Sequence, residues 1–302
     1  MKIKSLSFGL LMLAGSLGMQ AAAQTAHPLD GRIWDTRSKS FVTADAVYDQ
    51  AASSNHVLLG EKHDSEIHHQ LQLQALQALD ARGVRPTLAL EQFDSEHQAA
   101  LTAAQKTGTS DAEKLADAGQ LNRKGWRWPM YKDLIGYAAE KNWPLAAANL
   151  SRAEGRDIAM GKIVPQLPAA DVAQIAAMED EIVQGHCGQR PPQDRLAAIV
   201  NAQRARDQRM AEALAASKAP TVLIAGAGHV RRDRAVPRYL KDGDKALAIA
   251  YVETREGKTS PDDYDAAGFD LLWFTAATPR GNPCAQPIAG SVAAPSSQSK
   301  EK

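Results

Sequence analysis

Short, predominantly apolar runs alternate along this chain with segments of helical periodicity. The runs cover residues 56–59, 87–90, 145–148, 221–225, 246–252 and 270–274. Strands that are apolar throughout are typical of a mostly parallel sheet that is covered on both faces. We therefore predict an α/β fold with a mostly parallel central sheet, helices on both faces and a helical insertion.

The segments between these runs supply the helices. Apolar residues at helical spacing predict helices at 67–82, 95–105, 111–118 and 130–141, and long helices within 152–162, 169–184 and 194–217. Upstream of the first apolar run, we expect a short edge strand at 31–35 and a helix at 43–53.

The first 23 residues have the features of a secretory signal peptide. Lys2 and Lys4 precede a short apolar stretch at 6–19, and the three alanines at 21–23 offer a cleavage site. The stretch is shorter than the roughly 20 residues that a membrane span needs. No cysteine stands at the cleavage point to carry a lipid, so no stable membrane anchor is expected. We expect a periplasmic or secreted protein.

The rest of the chain is expected to form one domain over residues 24–288. The last residues, 289–302, are mainly small and polar and are expected to be a disordered tail. Lys and Arg number 35, as do Asp and Glu, so the zero net charge argues against a nucleic-acid partner. Cys187 and Cys284 are the only cysteines, and an oxidising compartment favours a disulfide between them. Two separate thiols, or Cys187 as a ligand, are the alternatives.

Polar and potentially reactive residues stand where the apolar runs end. The first four runs are followed by Gly60-Glu61-Lys62-His63-Asp64, Glu91-Gln92, Asn149 and Gly226-Ala227-Gly228-His229. Parallel strands share one direction, so these ends lie along one edge of the sheet, where open α/β sheets bind ligands. The residues expected to converge in one polar pocket are Glu61, His63, Glu91, Asn149 and His229. Capping of the next helix is the alternative role for Glu61 and Asp64.

Two polar residues interrupt the apolar stripe of the predicted helix at 194–217. Gln203 and Asp207 lie four residues apart on that stripe, so both are expected to face inward and to need partners, which Arg204 or Arg206 could supply. Glu179, on the preceding helix, is expected to be solvated at the edge of its stripe.

The loop at 125–131 is unusually aromatic for a chain with 5% aromatic residues. Trp126, Trp128 and Tyr131 form either a satellite core or a flat apolar wall for a planar ligand. Tyr131 and Met130 are both residue types that ligate haem iron. His68 and His69 follow at a helix start and are expected to be exposed to solvent.

Several of these motifs resemble the ChaN-like haem-binding family of the Tiki/TraB superfamily. The matching segments are 60–64, Leu90-Glu91-Gln92-Phe93, 147–150, His186-Cys187-Gly188, 203–207 and 226–230. The resemblance covers about residues 45–280 and implies an α/β fold, haem binding and a cell-envelope location. It also implies that His63, Glu91 and His229 match site residues of the superfamily. Many ChaN-like proteins are lipoproteins, and this chain departs from them in lacking the lipid-bearing cysteine.

Two functions of different classes follow. The first is a periplasmic haem-binding protein for haem or iron uptake, for which His63, Glu91, Trp126, Tyr131, His186 and His229 are the candidate cofactor-binding residues. A homodimer is a further expectation. The second is a metal-dependent hydrolase in which Glu61, His63, Glu91 and His229 hold a divalent transition metal and Glu61 or Glu91 acts as the general base. An envelope interaction protein with a vestigial pocket is the third alternative.

Overall fold

The alternating strands and helices build one eight-stranded sheet in the computed structural model of the chain, which describes residues 27–217, 220–241 and 245–285. The predicted signal peptide and tail lie outside these residues. The strands are β1 (Ile33–Asp35), β2 (Ser40–Val42), β3 (His56–Glu61), β4 (Thr87–Asp94), β5 (Leu145–Asn149), β6 (Thr221–Gly226), β7 (Ala246–Glu253) and β8 (Leu271–Thr275). The helices are α1 (Ala44–Ala52), α2 (Glu66–Ala81), α3 (Gln98–Lys106), α4 (Ala112–Ala118), α5 (Lys132–Glu140), α6 (Arg152–Ala159), α7 (Val172–Gly185) and α8 (Gln193–Ala216).

The sheet is mostly parallel, as the apolar runs predict. Its order is β2-β1-β8-β7-β3-β6-β4-β5. The six strands from β8 to β5 are parallel to one another, and β1 and β2 extend the sheet beyond β8 with antiparallel pairing. β3 lies between β6 and β7, and β6 lies between β3 and β4, so the ends of β3, β4 and β6 are adjacent. This adjacency brings distant segments of sequence to one short stretch of the sheet edge.

Successive residues of each central strand face opposite cores, which is why these strands are apolar throughout. Leu59, Leu90 and Ile224 face the core that α1 to α5 cover. Leu58, Leu223 and other residues on the opposite face pack against α8 and the segment that follows β6. The sheet is therefore covered on both sides, as predicted.

The helical insertion lies between β5 and β6. Ile158 of α6 packs with Ala202 and Ala205 of α8, and Met178 and Ile182 of α7 pack with residues nearer the start of α8. Helices α6 and α7 thus rest on α8 through small apolar cores of their own. Among the helices of the described residues, none combines the length and the apolar character needed to cross a membrane.

Several predicted boundaries move in the structure. The helix predicted at 95–105 begins with a 3-10 turn, Ser95–His97, before α3. The helix predicted within 169–184 begins at Val172, because the Asp171 side chain accepts a hydrogen bond from the Gln174 amide and caps the helix there, and it ends one residue later than predicted, at Gly185. Strand β2 was not predicted, since its three residues carry no periodic signal.

The predicted cysteine pair is confirmed, because a disulfide joins Cys187 to Cys284 with a Cα–Cα distance of 5.6 Å. It connects residues 97 positions apart in the sequence. The disulfide ties the residue after His186 to the segment that follows β8. The alternatives of free thiols and of Cys187 as a ligand are therefore wrong.

Candidate functional site

Glu61, at the end of β3, is a buried carboxylate surrounded by hydrogen-bond donors. Its Oε1 accepts from the Tyr131 hydroxyl at 2.5 Å and lies 2.9 Å from Nδ1 of His63, while Oε2 accepts from Nε2 of Gln72 at 2.7 Å. Burial alone would raise the pKa of Glu61, but the His63 hydrogen bond and the charges of His69 and His63 more than offset it and lower that pKa. Glu61 is therefore held as an anion by its neighbours.

Glu91, in β4, lies between two histidines. Its Oε2 is 3.8 Å from Nε2 of His63, and its Oε1 is 3.6 Å from Nε2 of His229. The backbone N–H of Gly226 donates to Oε2 at 2.8 Å, which fixes the carboxylate at the end of β6. The backbone carbonyl of Glu91 accepts from the Asn149 side chain at 3.0 Å. The carboxyl ends of four parallel strands thus meet at one point.

His229, in the turn after β6, is also paired with Asp207 of α8, whose Oδ1 lies 2.7 Å from its Nδ1. Burial by itself would lower the pKa of His229, but Glu91 and Asp207 outweigh it and raise that pKa to about 9. Burial is the main reason that the pKa of Asp207 is raised to about 6. At neutral pH the pair is an imidazolium beside a carboxylate.

His63 is the most accessible member of the cluster, with 43% of its side chain exposed. A Cβ on Gly226 would lie 2.9 Å from Nε2 of His63, so the glycine leaves the room that this imidazole occupies. Trp126 contacts His63 edge-on, with 5.0 Å between ring centroids. Burial would lower the pKa of His63, but the Glu61 hydrogen bond and the charge of Glu91 raise it.

A cavity of about 250 Å³ opens beside this cluster, between α7, α8 and the turn after β6. Met178, Ile182 and Ile199 supply apolar walls, and His229 and Asp207 line its inner side. His186 also lines it, from the end of α7. The cavity therefore joins two of the predicted site histidines.

The structure brings together most of the predicted site residues but separates others. Glu61, His63, Glu91, Asn149 and His229 are contiguous through the contacts above. Tyr131 lies beneath Glu61 with no exposed surface, and Trp126, Trp128 and Met130 pack against the core that contains it. The aromatic loop is thus mainly part of the core, and only Trp126 contacts an exposed residue of the cluster, His63.

The prediction that His68 and His69 are exposed is wrong. His68 is fully buried; its Nδ1 accepts from the Lys62 amide at 2.9 Å and its Nε2 lies 3.0 Å from the Thr275 hydroxyl. Burial is the main cause that lowers the pKa of His68 to about 4, so it is a neutral structural residue. His69 is buried as well, with Nδ1 donating to the Met130 carbonyl. Their partners come from distant strands and loops, which local periodicity does not reveal.

The predicted partner of Asp207 is also wrong. Asp207 faces inward as expected, but its partner is His229 rather than an arginine. Arg206 instead donates to Asn149 at 2.8 Å, and Arg204 donates to the Pro168 carbonyl. The solvated Glu179 that was predicted is half-buried and forms an ion pair with Arg190.

A metal site made of Glu61, His63, Glu91 and His229 is not supported. Hydrogen-bond partners already surround both oxygens of Glu61. Within the part of the chain that the structure describes, no three His, Cys, Asp or Glu side chains are arranged to hold a metal ion. The donor set fits a hydrogen-bonded network of alternating acids and imidazoles better than a coordination sphere.

Comparisons with known proteins agree with this fold. Among solved structures, the chain is similar to ChaN of Campylobacter jejuni with cofacially bound haem, at 23% identity and a TM-score of 0.69 over 80% of this chain and 95% of that one. It is more distantly similar to the type III effector HopBA1, at 17% identity and a TM-score of 0.42 over 77% of this chain and 92% of the effector. No curated protein matches the chain at a significant level. The profile of a family described as haem-binding uptake, Tiki superfamily, ChaN matches residues 47–240. The chain belongs to this ChaN-like haem-binding uptake family of the Tiki superfamily.

Proposed function

We propose that this protein binds haem at the cavity between α7 and α8, with His186 as the axial ligand, and that it serves haem or iron uptake. The observation that carries the proposal is the hydrogen bond from Nδ1 of His186 to the Ile182 carbonyl, at 2.7 Å. A carbonyl oxygen only accepts, so Nδ1 holds the hydrogen and the neutral ring keeps its lone pair on Nε2. A histidine that ligates a metal commonly donates its other ring N–H in this way.

The surroundings of His186 suit a flat and largely apolar ligand. His186 is exposed at the cavity mouth, so its ring is reachable from solvent. Met178, Ile182 and Ile199 form the apolar side of the cavity, which is the kind of wall that ligand pockets provide. When bound, haem brings an iron that accepts histidine as an axial ligand.

The other predicted haem ligands are less suited to that role. The Tyr131 hydroxyl is buried and donates to Glu61, and both ring nitrogens of His229 face carboxylates. His63 is similarly placed between Glu61 and Glu91, with Trp126 against its ring. We therefore assign iron ligation to His186. His63 and His229 belong instead to the carboxyl-edge cluster, defined as Glu61, His63, Glu91, Asp207 and His229.

A haemin titration of the purified protein tests the proposal. Wild type is expected to give a Soret shift with one saturable phase, and His186→Ala should weaken binding at least about tenfold. His97→Ala, a change of a partly buried histidine after β4 that does not line the cavity, is the matched control and should bind like wild type. Equal binding by wild type and the His186 variant would remove His186 as the ligand.

The location and the assembly of the protein belong to the same proposal. A disulfide between Cys187 and Cys284 supports an oxidising compartment such as the periplasm. Cell fractionation tests the location, and light scattering with and without haemin tests the homodimer.

Hydrolysis without a bound metal is the second candidate function. It is favoured by the two histidine–carboxylate pairs, Glu61–His63 and Asp207–His229, which meet at Glu91. A carboxylate on Nδ1 orients an imidazole so that Nε2 can take a proton from a nucleophile. His63 is the accessible member and would be that base.

An assay with a simple activated ester, p-nitrophenyl acetate, tests this second candidate. Turnover is expected to be unchanged by EDTA and to fall by about two orders of magnitude in His63→Gln. His97→Gln serves as the control for a histidine outside the cluster. Turnover no faster than in buffer, or turnover that the His63 change leaves intact, would exclude His63 as the base.

A further inference from the structure

We propose that residues 276–285 form a redox-sensitive strap that holds His186 in its ligand position, and that reduction of the Cys187–Cys284 disulfide weakens haem binding. The inference rests on the proposed role of His186 and adds a means of regulating the same site. Cys187 directly follows His186 in the sequence, and its disulfide partner lies at the far end of the strap.

The middle of the strap is fixed at the carboxyl edge of the sheet by Arg280. Arg280 donates to both carboxylate oxygens of Asp64, at 2.8 and 2.6 Å, and to both oxygens of Glu253, at 2.6 and 2.8 Å. Asp64 directly follows His63, and Glu253 ends β7. Paired bidentate contacts of this kind restrict the guanidinium in position and orientation. The strap therefore connects the loop of His63 to the turn of His186.

The turn that carries His186 depends on an uncommon backbone conformation. Cys187 has φ of +58° and Gly188 has φ of +79°, and the Gly188 amide closes the turn on the Val183 carbonyl at 2.9 Å. Glycine adopts this left-handed region readily, whereas a residue with a Cβ rarely does. A covalent tie at Cys187 holds that residue in the conformation that orients His186 at the end of α7.

The disulfide is accessible to a thiol reductant. Cys284 is exposed and Cys187 is half-buried. A thiolate of a dithiol reductant, such as a thioredoxin-like oxidoreductase, would attack the exposed Sγ of Cys284 and form a mixed disulfide while Cys187 leaves as a thiolate. The second thiol of the reductant then displaces Cys284, so that the protein gains two electrons and two protons and the reductant becomes a disulfide. The strap is then held by the contacts that Arg280 and Thr278 make with Asp64, Ser65 and Glu253.

The test compares four preparations of the full chain. Two are wild type, either oxidised or reduced with a phosphine and alkylated with iodoacetamide. The other two are the Cys187→Ala/Cys284→Ala variant, untreated or taken through the same reduction and alkylation as a control. Hydrogen exchange of residues 183–188 and haemin affinity are measured on each. Amides in strands β3 and β6 report whether the fold is intact. We expect faster exchange at 183–188, unchanged exchange in the strands, and haemin binding that is weaker by about tenfold in every preparation without the disulfide.

The outcomes separate the inference from the proposed function. If the hydrogen-exchange rate at 183–188 is the same with and without the disulfide, the strap does not hold this turn, whatever the haemin affinity. Faster exchange with haemin binding equal to that of oxidised wild type would overturn the regulation of the site. Absence of haemin binding in oxidised wild type, or binding that His186→Ala leaves intact, would instead contradict the proposed function, and the regulatory inference would fall with it.

Discussion

The Oδ1 atom of Asp207, in α8, lies 2.7 Å from Nδ1 of His229, in the 3-10 turn that follows β6. Helix α8, which carries Asp207, covers one face of the sheet. Strand β6, which His229 follows, is one of the inner strands of the sheet. This contact ties the helical insertion to the carboxyl-edge cluster. It also connects the cluster to the cavity, since both residues line it.

Removal of the Asp207 charge is expected to weaken this connection. Asp207→Asn keeps an acceptor near Nδ1 but leaves His229 with Glu91 as its main counter-charge, so the pKa of His229 should fall. We expect a loss of about 1–3 kcal/mol in the free energy of unfolding at pH 7, measured by urea denaturation. Asp180→Asn, on the exposed side of α7, is the matched control and should change stability by less than about 0.5 kcal/mol. Equal effects of the two changes would show that the Asp207 pair contributes nothing specific.

The raised pKa of His229 predicts a particular pH dependence. A group whose pKa is higher in the folded state than in the unfolded state stabilises the fold fully below its unfolded pKa, and this contribution is lost as the pH rises through the folded value. For His229 the loss falls between its ordinary 6.5 and about 9. Asp207, with a pKa of about 6, is largely ionised from pH 7 upward.

The measurement compares wild type with His229→Gln, which removes the titration, in denaturant at pH 7 and pH 10. The stability advantage of wild type should shrink across this interval. An advantage that stays constant or grows would mean that His229 is not a cation in the folded protein at neutral pH.

Tyr131→Phe is expected to be more destabilising than its small size suggests. It removes the donor that lies 2.5 Å from Oε1 of Glu61 and leaves a buried carboxylate with one partner fewer. We expect a cost of about 1.5–3 kcal/mol by calorimetry or denaturation, because the lost hydrogen bond involves a charged group. Tyr137→Phe serves as the control. The Tyr137 hydroxyl donates to the partly exposed Asp80 at 3.2 Å, so its loss should cost less than about 1 kcal/mol. A reversed order would contradict the role of Tyr131 in holding Glu61.

Gly226→Ala tests how closely His63 approaches the end of β6. The new Cβ would lie 2.9 Å from Nε2 of His63, so the imidazole must move away from Glu91. We expect a change in the chemical shift and a fall in the pKa of His63 by NMR, together with a stability loss of about 1–3 kcal/mol. Gly136→Ala in α5 meets only Ala112 at 3.9 Å and should be neutral or stabilising by up to about 1 kcal/mol. An unchanged His63 resonance in the Gly226 variant would show that the ring lies elsewhere.

Much of this arrangement is predictable from sequence because parallel strands impose it. Apolar runs that end in Glu61, Glu91 and Gly226 require both faces of a sheet to be covered, and their shared direction brings their ends together. The alternation alone therefore predicts that Glu61, His63, Glu91 and His229 lie along one edge of the sheet, but not which of them are in contact.

The remainder depends on contacts between segments that no local pattern relates. His68 is buried because Lys62 and Thr275 happen to satisfy both its ring nitrogens, and a histidine at a helix start carries no sign of this. In the same way, the inward position of Asp207 follows from its helical spacing, but its partner depends on how α8 crosses the end of β6. Hydrophobic periodicity predicts whether a residue faces the core or the solvent. The residue that it contacts there depends on tertiary packing.

The most direct test of the account is a crystal structure of the protein with haemin, with the iron located from its anomalous scattering. With His186 as the axial ligand, the iron is expected within bonding distance of its Nε2, at the cavity bounded by Met178 and Ile182, and His63 is expected to remain beside Glu61. Iron bound elsewhere, with His186 free in solvent, would contradict it.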